Sequence, residues 1–588
     1  MRKIDLNGQW DFIADLDPKY HEDKRIHPIH PYSQPETVRR HWSKASVPGV
    51  WQKYGERYDI FEGVCWFARE FYVDGTQYRS AYLRFGGVNY FCDVYVNGKY
   101  AGSHEGGYTE FVINVAGHIR EGRNHIAVRA DNRAPVIKWP PCLGYFNYGG
   151  IHRSVVLELA EGARLHDVTL TAAPLETGYR LGIKVLIKDC AGELTLKIYC
   201  GSQSVTIPVF KDGAVESSLV LPGIRSWQPD DPVLYEVGVE LIDKDKDKIT
   251  DTYTVNYGFK TISVKKANIV LNDKIFKFNG ICYVYDSPVS GLTMTNEQTE
   301  TDLRLMKEMG VNAVRCHYPM DKIFYEACDR MGILVWIEPP VYCYHPGDNE
   351  INTRFTDMEW LALANNMITE MIRVAKNHPS VAIYGIGNEC NAANSEAENF
   401  FTSLAATARR EDPTRLVSYA ALYGIVGALA DLTDILGINS YWGWYDKQIS
   451  NNIELVNHSQ KLELEKESID LHDMRKMLDK VIGGSRGDLA LFLTEFGADS
   501  IPGFYAAGRN LWSENYHADI LEKIFSLADE YPQIAGTFPF CFTDYRDPSK
   551  TANGYWNELN LKGAVSYNRE KKLAFEAIRG KYTRKCEL

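Results

Sequence analysis

From about residue 66 to residue 262 the chain consists of short runs in which apolar and polar positions alternate, among them "DVYVNGKYAG", "HIAVRADN", "RSVVLELA", "LTLKIYC" and "YEVGVELI". A period of two sends successive side chains to opposite faces, so each run predicts a half-buried β-strand. The turn residues between them, Asn97-Gly98 foremost, predict antiparallel hairpins. Two β-sandwich modules fit this interval, with a seam near residue 162 where "AEGARLHDV" restarts a strand. After about residue 270 the rhythm changes. Apolar runs now alternate with amphipathic helical stretches: "FKFNGICYVY", "AVRCHY", "ILVWIEPP", "VAIYGIGNE", "RLVSYAAL", "ILGINSYW", "LALFLTEFG" and "IAGTFPFCF". Eight such βα units over about 300 residues predict a TIM (β/α)8 barrel. The expected boundaries are 1–162 and 163–264 for the sandwiches and 265–588 for the barrel. The charged segment "KLELEKESIDLHDMRKMLDK" predicts a helix with a solvated face.

Composition narrows the class of protein. A chain of 588 residues is too long for one core, and 45% hydrophobic with 12% aromatic content is that of a globular protein. A net charge of −12 argues against a nucleic-acid partner and against an anionic membrane surface. The opening "MRKIDLNGQWDF" carries Asp5, Asn7 and Asp11 where a secretory signal needs apolar residues, and no run approaches the length of a membrane span. The twelve cysteines include no C-x-x-C pair and mostly sit in apolar strand-like runs, which predicts reduced core thiols. Together these features predict a cytoplasmic protein.

In a (β/α)8 barrel the working residues lie at the C-terminal ends of the strands. Those ends carry Arg315 and His317, Glu338, Asn388-Glu389, Tyr441 and Glu495. Three carboxylates there exceed what packing requires, because an ionised carboxylate beside apolar strands needs a partner or a task. Glu389 and Glu495 lie about three βα units apart, on strands four and seven, and so face each other across the mouth. A facing carboxyl pair is what glycoside hydrolysis uses. The alternative is that each glutamate simply pairs with a neighbouring arginine. No compact metal-ligand spacing such as H-E-x-x-H accompanies His317 and Glu338, so no metal and no cofactor are expected.

The strings "NHPSVAIYGIGNE", "LFLTEFG", "RCHYP", "FNYGGIHR" and "SWQPDDPVLYEV" resemble glycoside hydrolase family 2 over essentially the whole chain. The resemblance implies a jelly-roll sandwich, an immunoglobulin-like sandwich and a catalytic barrel, in that order. It implies a retaining mechanism with Glu389 as general acid/base, Glu495 as nucleophile and Asn388 on the sugar's 2-hydroxyl. Near the chain's end, "YWNELNLKGAV" holds Asn560 and Lys562 two residues apart. An isolated N-x-K is ordinarily a solvated turn. Within this family it resembles the mark of the β-glucuronidase branch, where amide and ammonium grip the C6 carboxylate of a uronic acid. "INSYWGWYD" likewise resembles the end of that branch's sixth strand and makes Tyr441 and Tyr445 candidate pocket residues, although simple packing would also account for them.

Other positions depart from the branch pattern. Gly144 stands where an aspartate is expected before "FNYGGIHR", Trp556 where an arginine precedes the N-x-K, Val284-Tyr285-Asp286 where a His-Glu-Asp run ends the first strand, and Phe540 where a platform tryptophan belongs. Losing an Asp and an Arg would leave an equatorial 4-hydroxyl without partners, at about 1–3 kcal/mol per buried hydrogen bond unmade. A tryptophan face suits the apolar side created by an axial hydroxyl. The expectation is therefore an exo-β-hexuronidase leaning to β-galacturonides. The alternatives are a β-glucuronidase of the usual specificity, a neutral β-galactosidase or β-mannosidase with Lys562 facing solvent, and a non-catalytic carbohydrate-binding protein. The segment "VYCYHPGDNEINTRFTD", with Tyr342, Tyr344 and His345, is a candidate aglycone loop. The expected partner is a small-molecule or oligosaccharide uronide, and the family's sandwich surfaces imply a homo-oligomer.

Overall fold

The protein is described by a computed structural model covering residues 1–16, 31–37, 41–75, 78–133, 139–140, 144–244, 246–343, 353–392, 395–445, 469–506, 510–553 and 558–584. Tyr344, His345 and Trp556 lie outside these residues.

The alternating runs of the first part fold into a jelly-roll sandwich. One sheet holds four strands, Arg2–Asp5, Val155–Ala160, Ser80–Phe85 and Phe111–Asn114 in spatial order, and the other holds six centred on Val64–Val73 and Gly122–Asp131. Register follows the apolar faces, pairing Leu83 with Leu157 in one sheet and Phe67 with Val128 in the other. All four belong to one buried core. The second module opposes a three-stranded sheet (Arg164–Leu175, Gly178–Lys188, Gly213–Leu221) to a four-stranded one (Gln203–Val209, Leu194–Cys200, Tyr235–Asp243, Lys248–Tyr257). Along Gly178–Lys188, Leu181, Ile183, Val185 and Ile187 all point into the core, the period of two that the sequence predicts.

The eight predicted apolar runs close into a parallel barrel: Phe278–Cys282, Ala313–Cys316, Leu334–Ile337, Val381–Asn388, Leu416–Leu422, Ile435–Asn439, Ala490–Glu495 and Ile534–Thr537. The strands are buried on both faces, which is why they read as continuous apolar runs rather than alternating ones. Phe278, Trp336, Phe492 and Phe538 fill the lower interior, with Trp336 5.6 Å from Phe492 and 5.7 Å from Phe538. The barrel interior is thus a packed core. Helices start where a short polar side chain can cap them. Thr295, Asp321, Asp357 and Ser513 each accept a hydrogen bond from a first-turn amide. Of the charged segment, residues 469–480 are described, and from His472 they form the helix His472–Gly484, which buries Met474, Leu478 and Val481.

Both sandwiches are fastened to the barrel by buried polar contacts. Arg153 of the first donates to the carbonyls of Tyr108 and of Pro319, each at 2.6 Å, and Tyr108 stacks on Tyr318 at 4.4 Å. From the second, fully buried Trp227 donates through Nε1 to the carbonyl of Asp329 at 2.8 Å. The adjoining loop lies on Gly332, the left-handed residue (φ 68°) ending helix Lys322–Met331, where a Cβ would meet the Pro229 carbonyl at 2.2 Å. The ten described cysteines are free thiols.

Trp227→Ala removes a large side chain and leaves the Asp329 carbonyl unpaired. It should cost roughly 3–5 kcal/mol, read as a lower melting temperature in differential scanning calorimetry, and unchanged melting would show that the second sandwich is not anchored there.

Candidate active site

At the mouth, the end of the second strand carries Arg315, whose side chain has 0% exposure. A guanidinium has five N–H donors, and here each finds an acceptor. Nε donates to Glu338 Oε1 at 2.9 Å, Nη2 to Glu338 Oε2 at 3.0 Å and to Asn388 Oδ1 at 2.7 Å. Nη1 donates to Glu495 Oε1 at 2.8 Å and to the Thr494 carbonyl at 3.3 Å. One cation therefore ties strands two, three, four and seven together. Glu338 takes a bidentate fork and serves as its counter-ion, so for this glutamate the simple pairing with a neighbouring arginine is what the structure shows. It fits because strand four carries Gly385 opposite, where a Cβ would come within 2.4 Å of Glu338 Cγ.

Glu495 is gripped on both oxygens. Oε1 meets His317 Nε2 at 3.1 Å besides Arg315, and Oε2 accepts from the Tyr441 hydroxyl at 2.7 Å. Burial alone would push its carboxyl up, but His317, Arg315 and the Tyr441 hydroxyl outweigh it and hold the group well below the usual carboxylate range. Glu389 sits in the opposite environment. Asn439 Nδ2 donates to its Oε1 at 2.7 Å and the Cys343 thiol to its Oε2 at 3.6 Å, while no cation touches it among the described residues. Burial first, and then the negative charge of Glu495, push its carboxyl well above the usual range. The two carboxyl groups are thereby pushed in opposite directions, Glu495 toward its ionised form and Glu389 toward its protonated one.

Local backbone departures aim these groups. The ladder between strands four and five slips between Gly385 and Asn388, and that between strands six and seven slips at Asn439, opposite Glu495. Bulges of this kind re-aim side chains beside active sites. Glu389 itself adopts φ 50°, a left-handed conformation that costs a non-glycine residue on the order of 1 kcal/mol or more. Its amide is pinned to the Ala420 carbonyl at 2.8 Å. The Thr494 hydroxyl donates to Asn439 Oδ1 at 2.6 Å, which turns the Asn439 amide nitrogen toward Glu389 and toward Asn388 Oδ1 at 2.9 Å. Asn439, Cys343 and Thr494 were not expected from the sequence. Asn439 is a polar residue at a strand mouth, a signal available in "ILGINS".

A second charged group lies beside the first. Lys562, 1% exposed, donates to Asp499 Oδ2 at 2.6 Å and to the Tyr445 hydroxyl at 2.7 Å. Asp499 also accepts from the Leu561 amide and from Trp444 Nε1, each at 2.9 Å. Burial opposes its ionisation, yet Lys562 and Lys550 hold it well below the usual range. Asn560 is buried, with Oδ1 accepting from the Lys562 amide at 3.3 Å and Nδ2 reaching Asp547 Oδ2 at 3.4 Å. The loop is held to the segment that follows strand eight by the Cys541 amide donating to the Lys562 carbonyl at 3.0 Å. Tyr441 and Tyr445 stand 5.2 Å apart, one on each charged group. Asp499 was not expected, although a buried ammonium demands such a partner and Asp499 follows Glu495 by four positions.

The remaining wall is aromatic. Phe540 stands 5.7 Å from His317 and 6.3 Å from Tyr441. Gly144 is exposed, and a Cβ there would meet nothing within 4 Å. Its neighbour Tyr145, also unexpected, reaches from the first sandwich into the barrel mouth, 5.2 Å from Tyr318 and 5.8 Å from Tyr342. Tyr342 in turn lies 6.3 Å from His317. Asp286 is buried, accepting from Tyr148 at 2.8 Å, from Tyr567 at 3.2 Å and from the Arg546 amide at 2.8 Å. Among the described residues, no helix is long and apolar enough to cross a membrane.

Three family models match: glycosyl hydrolases family 2, sugar binding domain, over residues 4–160; glycosyl hydrolases family 2 over 166–260; and glycosyl hydrolases family 2, TIM barrel domain, over 262–585. A β-glucuronidase of Paenibacillus borealis is 27% identical over 98% of this chain and 96% of its own. The structure of a β-galacturonidase from Eisenbergiella tayi bound to galacturonate superposes with a TM-score of 0.83 at 25% identity, over 99% of this chain and 97% of that one. The β-glucuronidase of Ruminococcus gnavus shares the fold, with a TM-score of 0.83 at 22% identity over 99% and 97% of the two chains.

Asp499→Asn strips the counter-charge from a buried ammonium and should cost about 3–5 kcal/mol at neutral pH. Because the folded pKa of Asp499 is depressed, its stabilisation is present above the unfolded value of about 4 and is lost as the pH falls below it. Melting temperatures measured across the acid range should fall with pH more steeply for the wild type than for the variant. Identical curves would mean that the pair carries no net stability.

Proposed function

This chain belongs to glycosyl hydrolase family 2, and from that premise we propose that it is a retaining exo-β-hexuronidase with a preference for β-galacturonides. The observation that carries the reading is the buried Lys562–Asp499–Tyr445–Asn560 group beside a carboxyl pair whose proton affinities are driven apart. A neutral-sugar enzyme would have no use for an ammonium at 1% exposure in that wall.

In this reading Glu495, ionised and aimed by Arg315, His317 and Tyr441, attacks the anomeric carbon. Glu389 gives its proton to the departing glycosidic oxygen as that bond breaks. Once the aglycone has left, Glu389 is ionised, takes a proton from water, and the resulting hydroxide displaces Glu495 from the sugar, restoring both groups. The Oδ1 of Asn388 is occupied by Arg315 and Asn439, so its Nδ2 is the end that faces the 2-hydroxyl. Asn560 and Lys562 take the C6 carboxylate, and Tyr342 borders the leaving-group side. The residue types at Gly144 and Trp556, and the aromatic face of Tyr145 and Phe540, support the axial 4-hydroxyl of galacturonate over the equatorial one of glucuronate. Kinship to the Eisenbergiella tayi enzyme bound to galacturonate supports the same preference. Near-full-length kinship to a β-glucuronidase favours a second reading, glucuronide hydrolysis of the usual kind.

Initial rates on aryl β-galacturonide, β-glucuronide and β-galactoside should rank in that order. Faster glucuronide turnover would support the second reading, and a faster galactoside would overturn both. Glu495→Gln should remove turnover, and near-normal activity would sink the nucleophile assignment. Glu389→Gln should lower kcat/KM by roughly 10²–10⁴-fold on glycosides with poor leaving groups. In the wild type kcat/KM should fall on the alkaline side as Glu389 loses its proton, above the ordinary glutamate range, and on the acid side as Glu495 gains one, below that range. The Glu389→Gln variant should lose the alkaline limb.

A further inference from the structure

The Lys562 ammonium is already spoken for, since Asp499 meets it at 2.6 Å with both side chains 1% exposed. A second ammonium reaches the same place from another part of the chain. Lys550 lies in the turn Pro548–Asn553, between strand eight and the Asn560–Lys562 loop, and its Nζ donates to the Tyr445 hydroxyl at 3.0 Å. Lys562 donates to that same oxygen at 2.7 Å. Both cations also lie near the Tyr445 ring, Lys550 5.4 Å and Lys562 5.0 Å from its centroid. Resting on the hexuronidase reading, we propose that Lys550 is a specificity-determining residue, the second cation that binds the substrate's carboxylate.

Donors and acceptors lead to this assignment. An ammonium has three N–H donors. Lys562 spends two, on Asp499 and Tyr445. Among the described residues Lys550 spends one, on Tyr445, and it stands 4.0 Å from Asp499 Oδ2, beyond hydrogen-bond reach. Asp547, the other carboxylate of this wall, is occupied elsewhere. Its Oδ1 accepts from the Ser549 amide at 3.0 Å and hydroxyl at 2.6 Å, and its Oδ2 from Asn560. Two lysines thus converge on one neutral oxygen, and both lone pairs of the Tyr445 hydroxyl are filled, so its own proton is directed to a further acceptor. The missing member of this group is an anion with several lone pairs. Exposure separates the two lysines: Lys562 is at 1% while Lys550 keeps 16%, which makes Lys550 the ammonium an entering carboxylate meets first. Charge balance agrees. A uronate placed on Lys562 alone would lie beside the negative Asp499, and Lys550 offsets that repulsion.

The test compares wild type, Lys550→Met, Lys550→Arg and Lys562→Ala on an aryl β-uronide and on the neutral aryl β-hexoside of the same stereochemistry. Lys550→Met keeps the apolar stem and loses the charge. Its uronide kcat/KM should fall roughly ten- to a hundredfold, mainly through KM, with the neutral glycoside unchanged. Lys550→Arg should recover most of the loss, and both Lys550 variants should melt within a few degrees of wild type. Equal losses on both substrates, or an unchanged ratio between them, would make Lys550 a structural residue and overturn the proposal. The two readings fail separately. A wild type that cleaves no uronide sinks the hexuronidase assignment itself. Uronide activity that depends on Lys562 but not on Lys550 sinks only this inference.

Discussion

A guanidinium with no exposed surface, enclosed in the mouth of a β-barrel, is the constraint on which the rest of the site depends. Arg315 could not stay there unless every N–H were met and its charge balanced, because an unpaired buried cation costs several kcal/mol. The structure satisfies it with Glu338, Glu495, Asn388 and the Thr494 carbonyl. Those partners come from three different strands, so the demand of one residue fixes where the strand ends stand relative to each other. Glu338 supplies the fork that holds the cation still, which leaves the second contact free to act on Glu495. Glu389, with no cation touching it among the described residues, is pushed toward its neutral form first by burial and then by the charge of Glu495.

Tyr441 and Tyr445 divide the mouth between two charge clusters. One hydroxyl rests on Glu495 and the other on Lys562, with the rings 5.2 Å apart. Placing both on the same turn fixes the spacing between Glu495 and the cationic wall, since neither can shift without the other. If the wall binds a uronate's carboxylate, this spacing is the ruler that sets the sugar's anomeric carbon over the nucleophile. Binding energy gathered at one end of the ring is thereby converted into orientation at the other.

Much of this was legible in the sequence because it rests on periodicity and position. The eight apolar runs become the eight barrel strands, and Glu389, Glu495, His317 and Tyr441 meet at one mouth because strand ends always do in this architecture. What sequence reading missed depends on closure in three dimensions. Asp499 is recognisable only after Lys562 is known to be buried, and Lys550 lies in the polar turn "DPSK", which carries no pattern at all. Tyr145 belongs to a different domain from the strands it faces. The apparent gap at Gly144 directed attention to a lost carboxylate, whereas the side chain that reaches the mouth is the aromatic one beside it.

Arg153 holds the first sandwich to the loop carrying Tyr318, and Tyr145 extends from that sandwich into the barrel's opening. The barrel mouth therefore has two authors, a barrel that supplies the buried carboxyl pair and a sandwich that supplies one wall. Such a barrel is not a portable module. Exchanging the N-terminal part for that of a relative would import a foreign wall, and substrate choice would travel with the graft even though every reacting group stayed behind.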